Sequence, residues 1–420
     1  MSESKKTDMT RREFGRKSAL GAAAISTIAA ANKAQAADKL TIAVIGAGGR
    51  GTQAAENAIQ AGGDSIELVA VADFREETAK GCVQRLRSNE NIKESIKVND
   101  ETTFWGLDAY KKVIAMKPDY VILATPPGFR PEHFEAVVDA KLNCFCEKPV
   151  ATDFNGIRRF HAAAKKSESL KLHIVTGNQR RHQKEYVETV KMLQDGALGE
   201  IVAGRAYWNG GLPHARDRRD GQGDLEYQLY NWYNFCWICG DNIVEQHIHN
   251  LDVMNWVLGS HPISVVASGG RSWKPKIEKY GNIWDNFSCD FEYPNGVHVF
   301  SFCRHLNKSA NEVSERVFGT NKKFRNGISN CADMGERGMN AYVQEHKDLQ
   351  DSIRGDGPYW NQAVQICETT MTAILGREAA YTGKNLKWEE AWNMEHDIFP
   401  NPIGFDAKMP PAPIPSTPMP

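Results

Sequence analysis

The chain has 420 residues, 41% of them hydrophobic and 25% charged, with a formal net charge of -1. At roughly 100–200 residues per domain, this length suits two globular domains of ordinary composition. The near-neutral balance excludes a basic footprint for nucleic acid or a membrane surface, and no run reaches the ~20 apolar residues of a membrane span.

The first 36 residues are a predicted export signal. Thr10-Arg11-Arg12-Glu13-Phe14 is a twin-arginine motif, Ser18 to Ala31 is an alanine-rich apolar core, and Ala34-Gln35-Ala36 fits a cleavage site. The expectation is export by the twin-arginine route to the periplasm, with residues 1–36 outside the fold. The nine cysteines are too scattered for a disulfide scaffold. Cys236-Trp-Ile-Cys239 has no second CxxC at zinc spacing, so no structural metal is expected.

The folded chain opens on a strand from Leu40 to Ile45, followed at once by Gly46-Ala47-Gly48-Gly49-Arg50-Gly51. Apolar residues then recur at helical spacing, and a second strand, Ile66 to Ala72, ends on Asp73, 22 residues past Gly51. A bare GxGxxG is weak evidence, but strand, glycine-rich turn, helix and terminal acid together form a dinucleotide-binding pattern. Gly46 permits the turn, Gly48 lets backbone approach a pyrophosphate, and Gly51 lets helix pack on strand. Gly49 and Arg50 open the helix, whose free N–H groups would hold the anion. Asp73 would accept from the adenosine ribose and repel a 2′-phosphate, favouring NAD over NADP. A purely structural or flavodoxin-like turn fits the same residues.

Strands and helices then alternate: helices at 76–87, 107–116 and 130–141, another capped by Asp153, and strands at 119–124, 143–146 and 171–176. This predicts a doubly wound parallel sheet over residues 37–177. Ligands gather at the carboxyl ends of such strands. Thr125, Pro126, Glu147 and Lys148 therefore join the glycine-rich turn and Asp73 as cofactor-facing residues. From Gly177 the texture changes to strands at 201–208, 262–273, 284–293 and 296–305, with a hairpin turn at Pro294-Asn295-Gly296. An antiparallel sheet in an α+β second domain is expected over residues 178–395, with an aromatic insertion at 209–240 and helices at 342–354 and 360–377. Residues 396–420 form an extended, proline-rich tail.

Two clusters carry chemistry. Lys148, at a strand end, would polarise a hydroxyl that is losing its proton; read alone, Glu147-Lys148-Pro149 is also a turn with a solvated charge pair. On one continuous helix, Glu245, His249 and Asp252 share a face, which would orient His249 as a general base. The same face also fits a buried polar helix surface, and an irregular backbone would let Glu245, His247 and His249 bind a metal. Gln179, Arg180 and Arg181 follow the sixth strand and would line the cleft. In and beside the insertion, Tyr207, Trp208, His214, Arg216, Tyr230, Asn231, Trp232 and Tyr233 would stack on and hydrogen-bond a sugar. Trp232 and Trp237 fit core or interface equally well.

GAGGRG, EKP, EQHIHNLD and the late ILGREAAYTG together resemble the glucose–fructose oxidoreductase/inositol dehydrogenase (Gfo/Idh/MocA) family over most of residues 38–390. The resemblance implies a Rossmann domain joined to an open antiparallel sheet for substrate binding and dimerisation, hence a homodimer or homotetramer. It implies Lys148 as the catalytic lysine and His249 as the proton-transfer residue. Glu245 stands where many members carry aspartate, and His247, a candidate substrate contact, stands where glycine is common. The expected activity is NAD-dependent hydride transfer at a carbinol carbon of a sugar. Because the periplasm holds no exchangeable NAD pool, a tightly held cofactor restored in each cycle is expected. Two alternatives are glycoside cleavage by transient oxidation and elimination, as in the NAD-dependent family 109 glycoside hydrolases, and a cofactor-holding sensor without turnover.

Overall fold

The computed structural model describes residues 39–324, 327–329 and 337–416. The predicted export signal lies outside the described residues, as do Cys331 and the last four residues of the tail. The first layer alternates as predicted: β1 (Leu40–Ile45), α1 (Gly49–Gly62), β2 (Ile66–Asp73), α2 (Glu76–Arg87), β3 (Thr103–Trp105), α3 (Ala109–Ala115), β4 (Tyr120–Leu123), α4 (Arg130–Asp139), β5 (Asn143–Cys146), α5 (Phe154–Ser169) and β6 (Ile174–Thr176). All six strands are parallel, in the order β3-β2-β1-β4-β5-β6. Helices cover both faces, which is why β4 is buried at all four positions and lacks polar alternation. The short edge strand β3 follows the polar stretch between α2 and Thr103.

The second layer begins with α6 (Lys184–Gln194) and the long β7 (Ile201–Gly210). Across the insertion come α7 (Asp224–Tyr230), α8 (Cys236–Cys239), α9 (Asn242–Glu245) and α10 (Ile248–Leu258). Then follow β8 (Ser264–Gly270), β9 (Asn286–Glu292), β10 (His298–His305), β11 (Glu312–Gly319) and β12 (Ile328–Ser329). The chain closes with α11 (Ala341–Arg354), α12 (Ala363–Thr382), β13 (Leu386–Lys387) and α13 (Trp388–Asn393). The sheet order is β12-β11-β7-β10-β9-β8-β13. It is mixed rather than purely antiparallel, because β10 pairs parallel with β7, while the other neighbours are antiparallel. In the β9–β10 hairpin, Asn295 and Gly296 both take positive φ, 71° and 72°, as a tight turn between right-twisted strands demands.

Alternation fixes which face of this sheet is covered. Phe287, Cys289 and Phe291 of β9 and Val299 and Cys303 of β10 are buried under α10 and α12, while Phe300 and Phe302 are exposed on the open face. Helix α12 carries apolar and small residues all round, and it is buried between the second sheet and α5. Helix α11 returns to the first domain: Gln350 Nε2 donates to the Ala58 carbonyl at 2.8 Å and to the Tyr120 hydroxyl at 3.1 Å. That docking brings the start of α11 to the carboxyl ends of the parallel strands.

Candidate active site

A cleft of about 710 Å³ opens at those strand ends. Its floor is the glycine-rich turn. Gly46 has φ +94°, and a Cβ there would lie 2.4 Å from the Thr125 nitrogen; one on Gly51 would lie 1.8 Å from the Gly46 carbonyl oxygen. Only glycine fits either position. A Cβ on Gly48 would meet nothing within 4 Å, so this turn has room above it. No side chain caps α1, and the first-turn N–H groups are left for an anion. The Asp73 carboxylate accepts from the N–H groups of Ala47 at 2.9 Å and Arg75 at 3.1 Å, which hold it at the cleft edge. Burial raises its pKa against those hydrogen bonds. Uncapped helix, open glycine and fixed carboxylate fit a dinucleotide.

Gly49, Arg50, Pro126, Glu147 and Lys148 also line this cleft. Arg50 and Glu147 pair with each other at 2.5 Å, and Arg50 also reaches the fully buried Glu345 of α11 at 2.8 Å. Burial pushes the Glu345 carboxyl well above the usual range, against the pull of Arg50. The Tyr342 ring lies 4.9 Å from the Arg50 guanidinium and lines the cleft. Tyr342 and Glu345 had no sequence signal, because only the docking of α11 brings them there. Thr125 requires correction: it is buried beneath the turn and its hydroxyl bonds His133 Nδ1 at 3.1 Å, so it supports Gly46 instead of facing a ligand.

Lys148, Glu245 and His249 meet at the other part of the cleft. The continuous helix expected across Glu245–Asp252 is broken: α9 stops at Glu245, and α10 starts at Ile248. Glu245 therefore serves Lys148, whose Nζ donates to its carbonyl at 2.5 Å and its carboxylate at 3.1 Å. Asp252 is committed elsewhere, accepting from Arg181 at 2.9–3.1 Å, from Gln365 and from Thr369. His249 lines the same cleft as Lys148 and Glu245, its ring stacked 5.9 Å from that of Trp208. Burial, then the nearby charges of Lys148 and Arg180, hold its pKa well below the usual histidine value. It is a neutral imidazole beside an ammonium, the state a general base requires.

Three expected substrate contacts are placed differently. His247 is fully buried and its Nε2 bonds Ser301 Oγ at 2.7 Å, because the break between α9 and α10 turns it into the second sheet. Arg180 is paired with Glu315 and stacked on Tyr186, behind the cleft. Trp208 backs His249 without lining the cleft. Gln179, Tyr230 and Trp232 do line it, as do His214 and Arg216. Asn231 and Tyr233 are buried in the base of the insertion.

With this geometry in place, comparison with known proteins decides the family. Residues 40–174 match the GFO_IDH_MocA oxidoreductase family with its NAD-binding Rossmann fold, and residues 186–325 match the GFO/IDH/MocA C-terminal domain. The chain belongs to the Gfo/Idh/MocA family. It thus carries the NAD-binding Rossmann domain of an oxidoreductase family, as the sequence resemblance implied. Among curated members, myo-inositol 2-dehydrogenase from Thermotoga maritima is 24% identical over 58% of this chain and 62% of its own length. The 2,7-anhydro-N-acetylneuraminate hydratase of Escherichia coli is 24% identical over 55% and 56%. The chain thus spans under two thirds of these relatives' length. Solved Gfo/Idh/MocA structures share the fold more completely. Myo-inositol 2-dehydrogenase from Lactobacillus plantarum has TM-score 0.63 at 19% identity, covering 83% of this chain and 99% of its own. Aldose–aldose oxidoreductase from Caulobacter crescentus, complexed with glycerol, has 0.64 at 16%, covering 83% and 99%. GenD2 from gentamicin A biosynthesis, in complex with NAD, has 0.62 at 17%, covering 83% and 96%.

Proposed function

We propose that this family member oxidises a carbinol carbon of a sugar or sugar derivative, using NAD held in the cleft. The observation that carries the reading is the meeting of Lys148, fixed by Glu245, with a neutral His249 in the cleft floored by the glycine-rich turn. Gly48, the α1 N-terminus and Asp73 would hold the dinucleotide, which supplies hydride acceptance when bound. Lys148 Nζ donates to the substrate hydroxyl oxygen and stabilises the charge that develops as its proton leaves. His249 takes that proton on a ring nitrogen. Glu245 holds Lys148 in place, and Trp232 limits water entry and offers a face to a pyranose. The printed names of the inositol dehydrogenases and the aldose–aldose oxidoreductase support a polyol or sugar as substrate class.

Export by the twin-arginine signal, proposed from Arg11 and Arg12, would place the enzyme in the periplasm with a resident cofactor. Each turnover must then restore that cofactor, either by reducing a second sugar or by cleavage through a transient ketone. The hydratase relative supports the second branch, since adding or removing water involves no net redox change. The exposed Phe300 and Phe302 support homo-oligomer formation through the open sheet face.

The test is to purify the full chain, record bound NAD by absorbance, and add sugars and aryl glycosides without free cofactor. Aglycone release marks cleavage, whereas cofactor reduction that stalls marks a dehydrogenase awaiting its acceptor. Failure to bind NAD at any concentration would remove the proposal altogether.

A further inference from the structure

The insertion between β7 and α8 does more than edge the substrate end of the cleft. It is fastened to the first domain: Leu225, Tyr227 and Phe235 pack in one cluster with Phe74 and Phe129, and Arg219 pairs with Glu77 at 3.6 Å. The Tyr230 ring carries guanidinium groups from both domains, Arg75 at 5.5 Å and Arg216 at 4.5 Å. Arg75 is also the residue whose N–H donates to Asp73. Tyr230 and Arg216 therefore stand at the ribose-reading end of the cleft, while Lys148 and His249 mark the reacting end.

Arg216 is held ready there. Its Nη1 donates to the Tyr230 carbonyl at 2.9 Å, its N–H to Asn231 Oδ1 at 3.0 Å, and its carbonyl accepts from the Tyr227 hydroxyl at 3.0 Å. Three other cations that share this cleft have carboxylates: Arg50 has Glu147 and Glu345, Arg75 has Glu77, and Lys148 has Glu245, while the buried Arg130 donates to the Pro149 carbonyl beneath the cleft. Among the described residues Arg216 has none. A half-buried guanidinium held on Tyr230 and left without a carboxylate is matched to an anionic ligand.

We propose that Arg216, supported on Tyr230, binds the adenosine-diphosphate half of the cofactor from the second domain. This rests on the reading of the cleft as an NAD site and adds a contact that the Rossmann domain does not supply.

The test measures binding of ADP-ribose and NAD to cofactor-stripped full-length protein by calorimetry, with no turnover involved. Arg216→Gln should weaken both ligands by the same factor, about tenfold or more. Arg218→Gln, whose partners Asp224 and Glu278 lie within the second domain, should leave both unchanged. Tyr230→Leu is the second variant, expected to weaken ADP-ribose even if Arg216→Gln folds poorly. Wild-type ADP-ribose affinity in a folded Arg216→Gln protein overturns the proposal, as does a loss confined to a carboxylated sugar, which would assign Arg216 to substrate. Wild-type protein that binds neither nucleotide would instead overturn the NAD reading itself.

Discussion

Lys148 Nζ and the Glu245 backbone carbonyl lie 2.5 Å apart, and the Glu245 carboxylate closes a second contact at 3.1 Å. The lysine is thereby aimed by a residue 97 positions later in the chain. Glu245→Gln keeps the size but removes the charge, so kcat should fall by about 10–100-fold with NAD affinity retained. Glu245→Asp, one methylene shorter, should recover part of the loss. Lys148→Met should abolish turnover; steady-state kinetics beside a cofactor-binding measurement checks all three, and a fully active Lys148→Met would sink the catalytic assignment.

His249 is kept neutral by burial and by the charges of Lys148 and Arg180. Its folded pKa lies well below 6.5, so the base stays deprotonated as pH falls through that value. The kcat/KM profile should be flat across pH 6–7 on account of this group. A loss of activity centred near 6.5 that disappears in His249→Asn would show that His249 titrates like an exposed histidine.

On the proposed reading, Asp73 would repel a ribose 2′-phosphate by charge, while Arg75 and Arg219 lie close by on Tyr230. Asp73→Ser should shift the NADP/NAD preference toward NADP by about tenfold or more, mostly through weaker NAD binding and lost repulsion. Titration of both cofactors followed by tryptophan fluorescence gives the ratio; an unchanged ratio would place ribose recognition elsewhere.

Asp252 is a structural anchor, not part of a catalytic face. It is buried and accepts from Arg181, Gln365 and Thr369. Asp252→Ala leaves Arg181 without its carboxylate in a mostly buried setting and should cost about 3 kcal/mol. The thermal midpoint should drop by several degrees while NAD affinity stays the same. If activity instead vanished at unchanged stability, Asp252 would belong to the chemistry.

Besides His249, four histidines among the described residues are held uncharged: His133, His247 and His305, pushed down to about 3, and His346, held well below its usual value, in each case chiefly by burial. Their folded pKa values lie below the unfolded value of about 6.5, so the unfolded chain binds more protons as pH falls. Their contribution is fully present above about pH 6.5 and is lost progressively toward pH 3, at up to about 1.4 kcal/mol per pH unit for each histidine. Urea midpoints should decline across that window, and His247→Gln, which retains a donor for Ser301, should make the decline shallower. A midpoint independent of pH between 6.5 and 4 would contradict it.

The local pattern determined much of this protein. Period-two and period-3.6 repeats placed the strands and helices of the first domain, and the steric demands of Gly46 and Gly51 made the turn recognisable from letters alone. The identities at strand ends then pointed to Asp73, Glu147 and Lys148, because in a parallel sheet every strand delivers its last residues to one edge. What local pattern could not carry was the helix break after Glu245. Helical spacing assigned Glu245 and Asp252 to His249, but the break redirected Glu245 to Lys148, sent His247 into the core, and left Asp252 to Arg181. Nor did any spacing link Arg50 to Glu345, 295 residues away, or Arg216 to the Asp73 end of the cleft. Those relations arise from the docking of α11 and the insertion onto the first domain, where burial of apolar surface sets the geometry and polar side chains take the partners that docking provides.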